Sequence, residues 1–233
     1  MQPKLVLPNL YSLSIRQAVN VFILVDGKNI ALIDTGFPDS GSLILDAVKS
    51  LGFAAEAVRH IIATHCHNDH AGSLAELQES TGAISYMHEM DADLIRTGRT
   101  MRVCSPAPTS LGQEFYSKYI KDVPFESFDV LPVQIDRIIA DSDIIDFAGG
   151  IEVVFAPGHC AGQVALLWKA HGGVLFAADI APNADGLILS PVYEDMALGL
   201  ATLNRVSQLD FEHACFGHGS AMKGAAAEHF RRK

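Results

Sequence analysis

The feature that most constrains this 233-residue chain is a short run of metal-ligand side chains directly after an apolar strand. The predicted strand covers Arg59 to Ala63, and the run that follows consists of His65, His67, Asp69 and His70. Burying such groups without partners is costly, so they need hydrogen bonds or a metal ion to offset their desolvation. Because residues two apart in extended backbone lie on the same side, His65 and His67 can share one ion. Asp69 and His70 lie beyond the turn, so the spacing favours two adjacent ions over one.

Ligand-type residues recur at the ends of three later apolar strands. His159 follows the predicted strand Ile151 to Phe155, Asp179 follows Val174 to Ala177, and His218 follows a short strand ending at Phe216. Loops at strand ends are where proteins of mixed strands and helices place their chemistry. Glycines next to His159 and His218 would also let the backbone approach the metals closely.

With these motifs in place, the sequence resembles the metallo-β-lactamase-fold hydrolases over nearly its whole length. The family signature H-x-H-x-D-H stands here at residues 65–70, and the later family ligands match His159, Asp179 and His218 in the same order. The resemblance implies two metal subsites and one shared carboxylate: His65, His67 and His159 for the first ion, Asp69, His70 and His218 for the second, with Asp179 bridging them. It also implies that Asp34, in the segment Asp34-Thr35-Gly36, supports the ligand loop from behind.

The resemblance implies hydrolysis by a hydroxide that bridges two divalent ions. Two ions about 3.5–4 Å apart lower the pKa of their shared water toward neutrality and polarise the scissile group. Asp69 is the candidate catalytic residue, because its carboxylate can orient the hydroxide or carry a proton to the leaving group. We expect zinc as the metal, although iron and manganese also suit sites built from His and Asp.

The residue at the bridging position separates branches of the family. The β-lactamases that resemble this chain carry Cys or Ser there, whereas glyoxalase II-like thioesterases, lactonases, tRNA 3′-processing nucleases and diiron flavoproteins share the Asp that stands here as Asp179. The chain ends soon after His218, so we expect neither a flavodoxin domain nor the helical domain of glyoxalase II. These observations favour hydrolysis of a small ester, lactone or thioester. A phosphodiesterase or phosphotriesterase on the same site is the alternative, and a non-catalytic scaffold is a third hypothesis.

The order of strands and helices predicts the fold class α/β (α+β), as an αββα four-layer sandwich that forms one domain over residues 1–233. A hairpin is predicted from Val19 to Ile33, and helices are predicted from Ser40 or Ser42 to Gly52, from Ala71 to Glu79 and from Met196 to Leu209. The segment 89–132 differs, because it mixes prolines with aromatic residues. We interpret it as a partly helical, lid-like insertion that selects the substrate or forms a partner surface.

From the composition and charge we expect a small-molecule substrate as the binding partner. Whether the chain forms a homodimer is left open. The net charge is −10, so we expect no binding to nucleic acid. No apolar run is long enough to span a membrane, and the four sparse cysteines and the absence of a signal-like start favour the cytoplasm. One basic cluster remains, at Arg96, Arg99 and Arg102; it is either a solvated helix face or a local anion site.

Several other residues carry weaker expectations. Tyr193 is a candidate hydrogen-bond donor to a substrate carbonyl, as a tyrosine is in the lactonases, although its spacing from Asp179 does not match theirs. Alternation along extended backbone predicts that Cys66 and Cys160 point away from the metals. The histidines outside the ligand set are expected to be structural or solvent-facing: His60, His88, His171, His213 and His229.

Overall fold

The structure, a computed structural model, describes residues 2–233 as fifteen strands and six α-helices. The strands are β1 Lys4–Leu7, β2 Leu10–Ile15, β3 Val19–Asp26, β4 Asn29–Ile33, β5 Val58–Ile62, β6 Ile84–His88, β7 Ser105–Pro106, β8 Arg137–Ile139, β9 Ile144–Ile145, β10 Ile151–Phe155, β11 Val164–Trp168, β12 Val174–Phe176, β13 Val192–Tyr193, β14 His213–Cys215 and β15 Met222–Lys223. The α-helices are α1 Gly41–Ser50, α2 Leu74–Thr81, α3 Glu89–Ile95, α4 Ser110–Tyr119, α5 Met196–Ser207 and α6 Ala226–Arg231. Three 3₁₀ turns cover Ala55–Ala57, Phe125–Phe128 and Ala170–Gly172.

Two large sheets carry most of these strands. The first has seven strands in the order β1-β2-β3-β4-β5-β6-β8, and β4, β5, β6 and β8 run parallel to one another. The second has six strands in the order β15-β14-β12-β11-β10-β9, in which β12 and β14 are parallel. A small third sheet pairs β7 with β13. Parallel neighbours in each sheet bring successive strand ends to one edge.

Alternating side chains of the first sheet supply two separate cores. On β3, Val21 and Ile23 pack with Ile44 and Val48 of α1, whereas Phe22 faces the opposite core. This alternation follows from the two-residue period of a strand. The outer face of the first sheet is therefore covered by helices, and its inner face is free to pack against another sheet.

The second sheet divides its side chains in the same way. Leu166 and Phe176 point into the core between the sheets, where the Phe176 ring lies 5.4 Å from the ring of Phe22. Leu167 and Leu175 point outward, into a core that also contains Leu203, on α5. The layer order is thus helices, sheet, sheet, helices, and the predicted αββα sandwich is confirmed.

The predicted and observed boundaries of strands and helices agree best where an apolar run is bounded by turn residues. The strands Ile151–Phe155 and Val164–Trp168 have the predicted limits. The helix predicted from Ala71 begins instead at Leu74, because the preceding residues form tight turns in which Ala71 N–H donates to the His67 carbonyl. The N-terminal strands β1 and β2 were not predicted.

The role of the segment 89–132 as a lid stays a prediction. Its helix α3 packs through Ala92 and Ile95 into the helix-covered core of the first sheet, whereas α4 and the 3₁₀ turn Phe125–Phe128 pack on a small separate core. That core holds Met101, Cys104, Ile120 and Val192. The prediction that the arginine cluster lies on a helix face is wrong, because α3 ends at Ile95. The three arginines follow that end, and they do not share one helix face. Within residues 2–233, no helix is long and apolar enough to cross a membrane.

We predict that Leu166→Ala lowers the free energy of unfolding by about 2–5 kcal/mol, because it opens a cavity between the two sheets. Leu166 is fully buried there. The matched control is Leu131→Ala, since Leu131 is 68% exposed, and a surface change of this kind alters stability by at most about 0.5 kcal/mol. Urea unfolding followed by circular dichroism measures both values. Equal effects of the two changes would contradict this packing.

Candidate metal centre

The seven predicted ligands come from four loops that meet where the two sheets adjoin. The loop after β5 carries residues 65–70, and the loops after β10, β12 and β14 carry His159, Asp179 and His218 respectively. Backbone hydrogen bonds join the sheets at this end: Val164 N–H donates to the Thr64 carbonyl, and Asn20 N–H donates to the Gly217 carbonyl. The loops are therefore held by the sheets on both sides of the site.

Each of the five imidazoles has one ring nitrogen fixed by a partner outside the cluster. These outer contacts are His65 Nδ1 to Thr64 Oγ1 (3.0 Å), His67 Nε2 to Cys160 Sγ (3.2 Å), His70 Nδ1 to Asp34 Oδ2 (2.9 Å), His159 Nδ1 to the Val192 carbonyl (2.9 Å) and His218 Nδ1 to the Ala18 carbonyl (2.7 Å). For His70, His159 and His218 the partner is a carboxylate or carbonyl oxygen, which only accepts, so their outer nitrogens carry the proton. Thr64 Oγ1 donates its own proton to Asp34 Oδ2 and therefore accepts from His65 Nδ1. When such a ring is neutral, its opposite nitrogen has a lone pair available for a metal.

The opposite ring nitrogens converge on the Asp179 carboxylate. His67 Nδ1 lies 3.0 Å from His159 Nε2, and His159 Nε2 lies 3.5 Å from Asp179 Oδ2. On the other side, Asp179 Oδ2 is 3.1 Å from His218 Nε2, and Asp179 Oδ1 is 3.4 Å from His70 Nε2. Asp69 Oδ2 completes this side at 3.4 Å from His218 Nε2. The structure brings all seven predicted ligands together.

Two buried atoms of this cluster have no hydrogen-bond partner, namely His65 Nε2 and Asp179 Oδ1. Both belong to predicted ligands, and both point into the cluster. Unpaired buried polar atoms are rare in folded proteins and demand a partner. A divalent cation satisfies an imidazole nitrogen and a carboxylate oxygen at once, so the residues present fit a metal.

Three overlapping groups of residues could hold an ion at this centre. They are His65, His67, His159 and Cys160; His65, His70 and Asp179; and Asp69, His70 and His218. Cys160 enters the first group through its contact with His67 Nε2, the nitrogen that faces away from His159. One imidazole offers one nitrogen to an ion, and His67 Nδ1 faces the centre. Cys160 is therefore an outer partner of His67 and not a fourth ligand.

The charges of the cluster divide it into two halves. Burial lowers the pKa of His65 well below its usual value and lowers the pKa of His67 to about 3, so both rings are neutral, as ligands must be. On the other half, burial opposes protonation, but Asp179 and Asp69 outweigh it and raise the pKa of His218 to about 9. The same carboxylates raise the pKa of His70. Positive charge is therefore favoured beside the two aspartates.

Asp34 supports the ligand loop, as the resemblance implies. Its Oδ1 accepts a hydrogen bond from Thr64 N–H at 2.8 Å, and its Oδ2 accepts from Thr64 Oγ1 at 3.0 Å and from His70 Nδ1 at 2.9 Å. The residue is buried and has a φ of 64°, a conformation that Asp and Asn tolerate better than most residues. One carboxylate thus orients His65 through Thr64 and orients His70 directly.

Cys160 lies on the outer side of His67, with its Sγ 3.2 Å from His67 Nε2, but strand alternation is not the reason for this orientation. Alternation does not apply here, since the backbone turns at Gly158 with a φ of 134° and leaves the strand conformation. Cys66 does point away from the ions, and its Sγ donates to the Thr100 carbonyl at 3.4 Å.

Two glycines that stand next to ligands, Gly158 and Gly217, serve different purposes. A Cβ on Gly217 would lie 2.3 Å from Asp179 Oδ1 and 2.6 Å from His70 Cε1, so this glycine gives the ligands room. A Cβ on Gly158 would instead lie 2.2 Å from the backbone of Gly199 in α5. Gly158 therefore allows the ligand loop to pack on a helix, and only Gly217 gives the close approach that was predicted for both.

The structure places Tyr193 behind the His159 loop. Its hydroxyl accepts a hydrogen bond from Ser190 N–H at 3.0 Å, the residue is 3% exposed, and Ser190 Oγ lies 2.9 Å from His159 Nδ1. The ring also fills the space that a Cβ on Gly199 would take. Tyr193 thus supports the loop that carries His159 and is not brought to the open side of the site.

The remaining histidines lie outside the metal groups. His60 Nδ1 contacts the Tyr86 hydroxyl at 2.9 Å, His88 Nδ1 accepts from Met90 N–H, and His213 Nδ1 accepts from Gly224 N–H. His60 is thus half-buried and paired, where a solvent-facing side chain was predicted. The sequence also gave no signal for Ser190 or for the backbone carbonyls of Ala18 and Val192, since these contacts come from distant parts of the chain.

Comparison with known proteins agrees with this geometry. The family model of the Metallo-beta-lactamase superfamily matches residues 15–218, a span that includes all seven predicted ligands. The chain belongs to the metallo-beta-lactamase superfamily. The glyoxalase II and lactonase branch expected from the bridging Asp179 is not distinguished by this match.

Relatives and solved structures place the chain within this superfamily at low identity. It is 25% identical over 225 residues to the probable metallo-hydrolase YflN of Bacillus subtilis, covering 89% of this chain and 83% of YflN. It is 29% identical over 182 residues to metallo-beta-lactamase domain-containing protein 1 of Xenopus laevis, covering 77% of this chain and 62% of that protein. A third relative, the uncharacterized protein YobT of Bacillus subtilis, is 27% identical, and the match covers 74% of this chain and 66% of YobT. The chain thus spans less than two thirds of the Xenopus protein and of YobT.

Among solved structures, a beta-lactamase from Chitinophaga pinensis superposes with a TM-score of 0.71 at 28% identity, covering 94% of this chain and 78% of the other. A metallo-beta-lactamase from Cronobacter sakazakii gives 0.71 at 21% identity, with 94% and 81% of the two chains covered. The latter likeness shows the fold. Members of this superfamily are hydrolases, and the fold implies that the His and Asp cluster of this chain binds divalent metal.

We predict that Asp34→Asn lowers divalent-metal affinity by about 10- to 100-fold, the usual effect of removing an outer partner of metal ligands. Asparagine tolerates the same backbone conformation, so the fold is retained while His70 and Thr64 lose their charged acceptor. Competition with a chromophoric chelator measures the affinity. The matched control is Asp39→Asn, because Asp39 has nearly the same φ of 65° but is exposed. Equal affinities of the two variants would contradict this role of Asp34.

Proposed function

We propose that the chain is a dinuclear metal-dependent hydrolase that cleaves a small carboxylic ester, lactone or thioester. The observation that carries this proposal is the position of the Asp179 carboxylate, with one oxygen facing His159 and His218 and the other lacking any hydrogen-bond partner beside His70. A carboxylate between two sets of imidazoles is suited to bridge two ions. Histidine and aspartate sets of this kind suit zinc, with iron and manganese as alternatives.

The residues divide into two metal subsites in this proposal. His65, His67 and His159 would hold the first ion, and Asp69, His70 and His218 would hold the second, with Asp179 shared. When bound, two divalent ions lower the pKa of water and polarise the carbonyl that is attacked. The protein contributes the fixed geometry, since every imidazole has an outer contact that orients the ring and turns its other nitrogen toward the cluster.

Asp69 is the proposed catalytic acid and base. Its side chain is 21% exposed, and only Oδ2 is engaged, at 3.4 Å from His218 Nε2 and 3.8 Å from His70 Nε2. The carboxylate therefore stands at the open side of the cluster, where a substrate enters. As the water oxygen bonds to the carbonyl carbon, Asp69 takes the released proton. Asp69 returns this proton to the leaving group, which is an alcohol oxygen or a thiol sulfur, as the bond between that atom and the carbonyl carbon breaks.

The arginine cluster gives no support to the phosphodiesterase alternative. Arg102 is bound by Asp91 and Glu194, and Arg96 lies 3.8 Å from Asp93, so these two side chains already have anionic partners within the protein. The net charge of −10 also disfavours polyanionic substrates. The intact set of ligands weighs against a non-catalytic scaffold, because a scaffold has no need to keep seven converging metal-ligand side chains.

We predict that the zinc-loaded protein hydrolyses p-nitrophenyl acetate or a homoserine lactone faster than bis-p-nitrophenyl phosphate. The physical reason is that Arg96 and Arg102 already have carboxylate partners, so neither is free to bind the second phosphate oxygen. Initial rates on the three substrates at equal concentration check this order. Turnover of the phosphodiester alone would replace the proposed function with the phosphodiesterase. Much less than two equivalents of bound metal, with no turnover of any of the three substrates, would favour the scaffold.

We predict that His67→Ala and Asp179→Asn each reduce turnover at least about 10³-fold, because each disrupts an ion on which the reaction depends. Far-UV circular dichroism should remain that of the parent, since the apolar cores between and outside the sheets do not include these residues. Metal content by plasma emission should fall from two equivalents. His229→Ala is the control, because His229 is exposed on α6 and lies outside the cluster. Retained metal and activity in Asp179→Asn would contradict the bridging role.

A further inference from the structure

Beside the metal centre lies a cluster of charged residues, the ionic triad Asp91, Arg102 and Glu194. Arg102 Nη1 lies 2.7 Å from Asp91 Oδ1 and 3.2 Å from Glu194 Oε1, so one guanidinium nitrogen contacts both carboxylates. The Asp91 side chain is fully buried, that of Glu194 is 10% exposed and that of Arg102 is 26% exposed. Nothing in the reaction proposed above uses these three groups. Buried charges are costly unless they are paired, so their position calls for a role.

Asp91 links the two loops that carry the first metal subsite. Its Oδ2 accepts a hydrogen bond from Cys66 N–H at 3.0 Å, and its Oδ1 accepts from Gly162 N–H at 3.1 Å. Cys66 stands between His65 and His67, and Gly162 follows His159 in the same loop. One buried carboxylate therefore fixes the backbone of both loops.

Gly162 allows this approach, because a Cβ at that position would lie 2.5 Å from Asp91 Cγ and 2.6 Å from Asp91 Oδ1. The backbone of the His159 loop at Gly162 is therefore in direct contact with the Asp91 carboxylate. No other amino acid could stand at residue 162 without moving Asp91 away from the loop.

Glu194 holds the His159 loop from the other side. Its Oε2 accepts from Ala161 N–H at 2.9 Å, and its own backbone N–H donates to the His159 carbonyl at 3.2 Å. Both carboxylates of the triad thus bind amides within three residues of His159. Arg102 keeps the carboxylates together, since without its charge they would repel each other across a short distance in a medium of low polarity.

The triad also connects the metal centre to the segment 89–132. Asp91 is on α3, and Arg102 precedes β7, which pairs with β13. The Val192 carbonyl on β13 is the acceptor that orients His159. Arg102 also donates to the Met90 carbonyl, which ties its own position to α3. The segment therefore reaches the first metal subsite by two routes, the ionic triad and the β7–β13 pair.

We propose that Asp91, Arg102 and Glu194 are positioning residues that set the separation of His67 from His159, and that Arg102 is the residue on which this arrangement depends. The inference rests on the proposed function, because it takes the group of His65, His67 and His159 to hold an ion. The residues act through the ligand loops and touch neither ion nor substrate.

The test is titration of the metal-free protein with Co²⁺, whose visible spectrum reports ligand geometry, for the parent, Arg102→Met and Arg99→Met. Arg99 is the matched control, because it is an exposed arginine in the same segment. In Arg102→Met we expect affinity at the tighter site to fall by about tenfold or more, the range typical of lost outer-sphere support, together with a changed absorption band. Arg99→Met should match the parent in both. Equal spectra and affinities for Arg102→Met and the parent would overturn the inference.

Two further variants keep the test decisive if Arg102→Met fails to fold. Arg102→Lys keeps a charge between the carboxylates, and we expect affinity between those of the parent and the methionine variant. Glu194→Gln removes one charge and leaves the pair of Arg102 with Asp91, and we expect weaker binding with a shifted spectrum. Thermal unfolding of the metal-free forms measures the purely structural effect. A lower melting temperature with unchanged Co²⁺ spectrum and affinity in these variants would overturn the positioning role. If the parent itself bound no Co²⁺, the proposed function would fail and not this inference alone.

Discussion

The whole site depends on the cost of removing five imidazoles and several carboxylates from water at the junction of two sheets. The protein meets this cost by giving every ligand imidazole one outer hydrogen-bond partner, including Asp34 for His70 and the Val192 carbonyl for His159. These partners leave the facing nitrogens free, and they leave His65 Nε2 and Asp179 Oδ1 without any hydrogen bond. A metal is the group that satisfies both atoms, so the same constraint that threatens stability also creates the binding site.

The sandwich provides the rigid support that such a site needs. Each sheet packs on its partner sheet through one face and on helices through the other, and the ligand loops leave the strands at the end where backbone hydrogen bonds join Val164 to Thr64 and Asn20 to Gly217. Loops fixed at such a junction cannot move independently. Residues far apart in sequence, such as His67 and His159, therefore keep a separation of 3.0 Å between ring nitrogens.

The layered fold and the convergence of the seven His and Asp side chains could be predicted from sequence because both depend on local signals. A strand of alternating apolar residues followed by His or Asp marks a strand-end site without knowledge of the neighbouring strand. The outer partners could not be predicted, because Ala18 and Val192 contribute backbone carbonyls, which every residue has. The contact of Cys160 with His67 could not be predicted either, because strand alternation does not extend past Gly158, where the backbone leaves the strand. Tyr193 was considered for its hydroxyl, which the structure shows bound to Ser190 N–H.

The ionic triad shows why a segment that reads as an independent insertion belongs to the metal centre. In the sequence, nothing distinguishes Arg102 from Arg96 and Arg99. Its role is visible only in the folded chain, where it contacts both Asp91 and Glu194. A buried carboxylate can accept a hydrogen bond from a backbone amide whatever the side chain of the donor residue. The sequences of the ligand loops therefore carry little sign of these contacts. Because Asp91 of this segment binds the amides of Cys66 and Gly162, the segment cannot change its fold without altering the surroundings of His67 and His159. In such an architecture, substrate preference and metal geometry are expected to vary together.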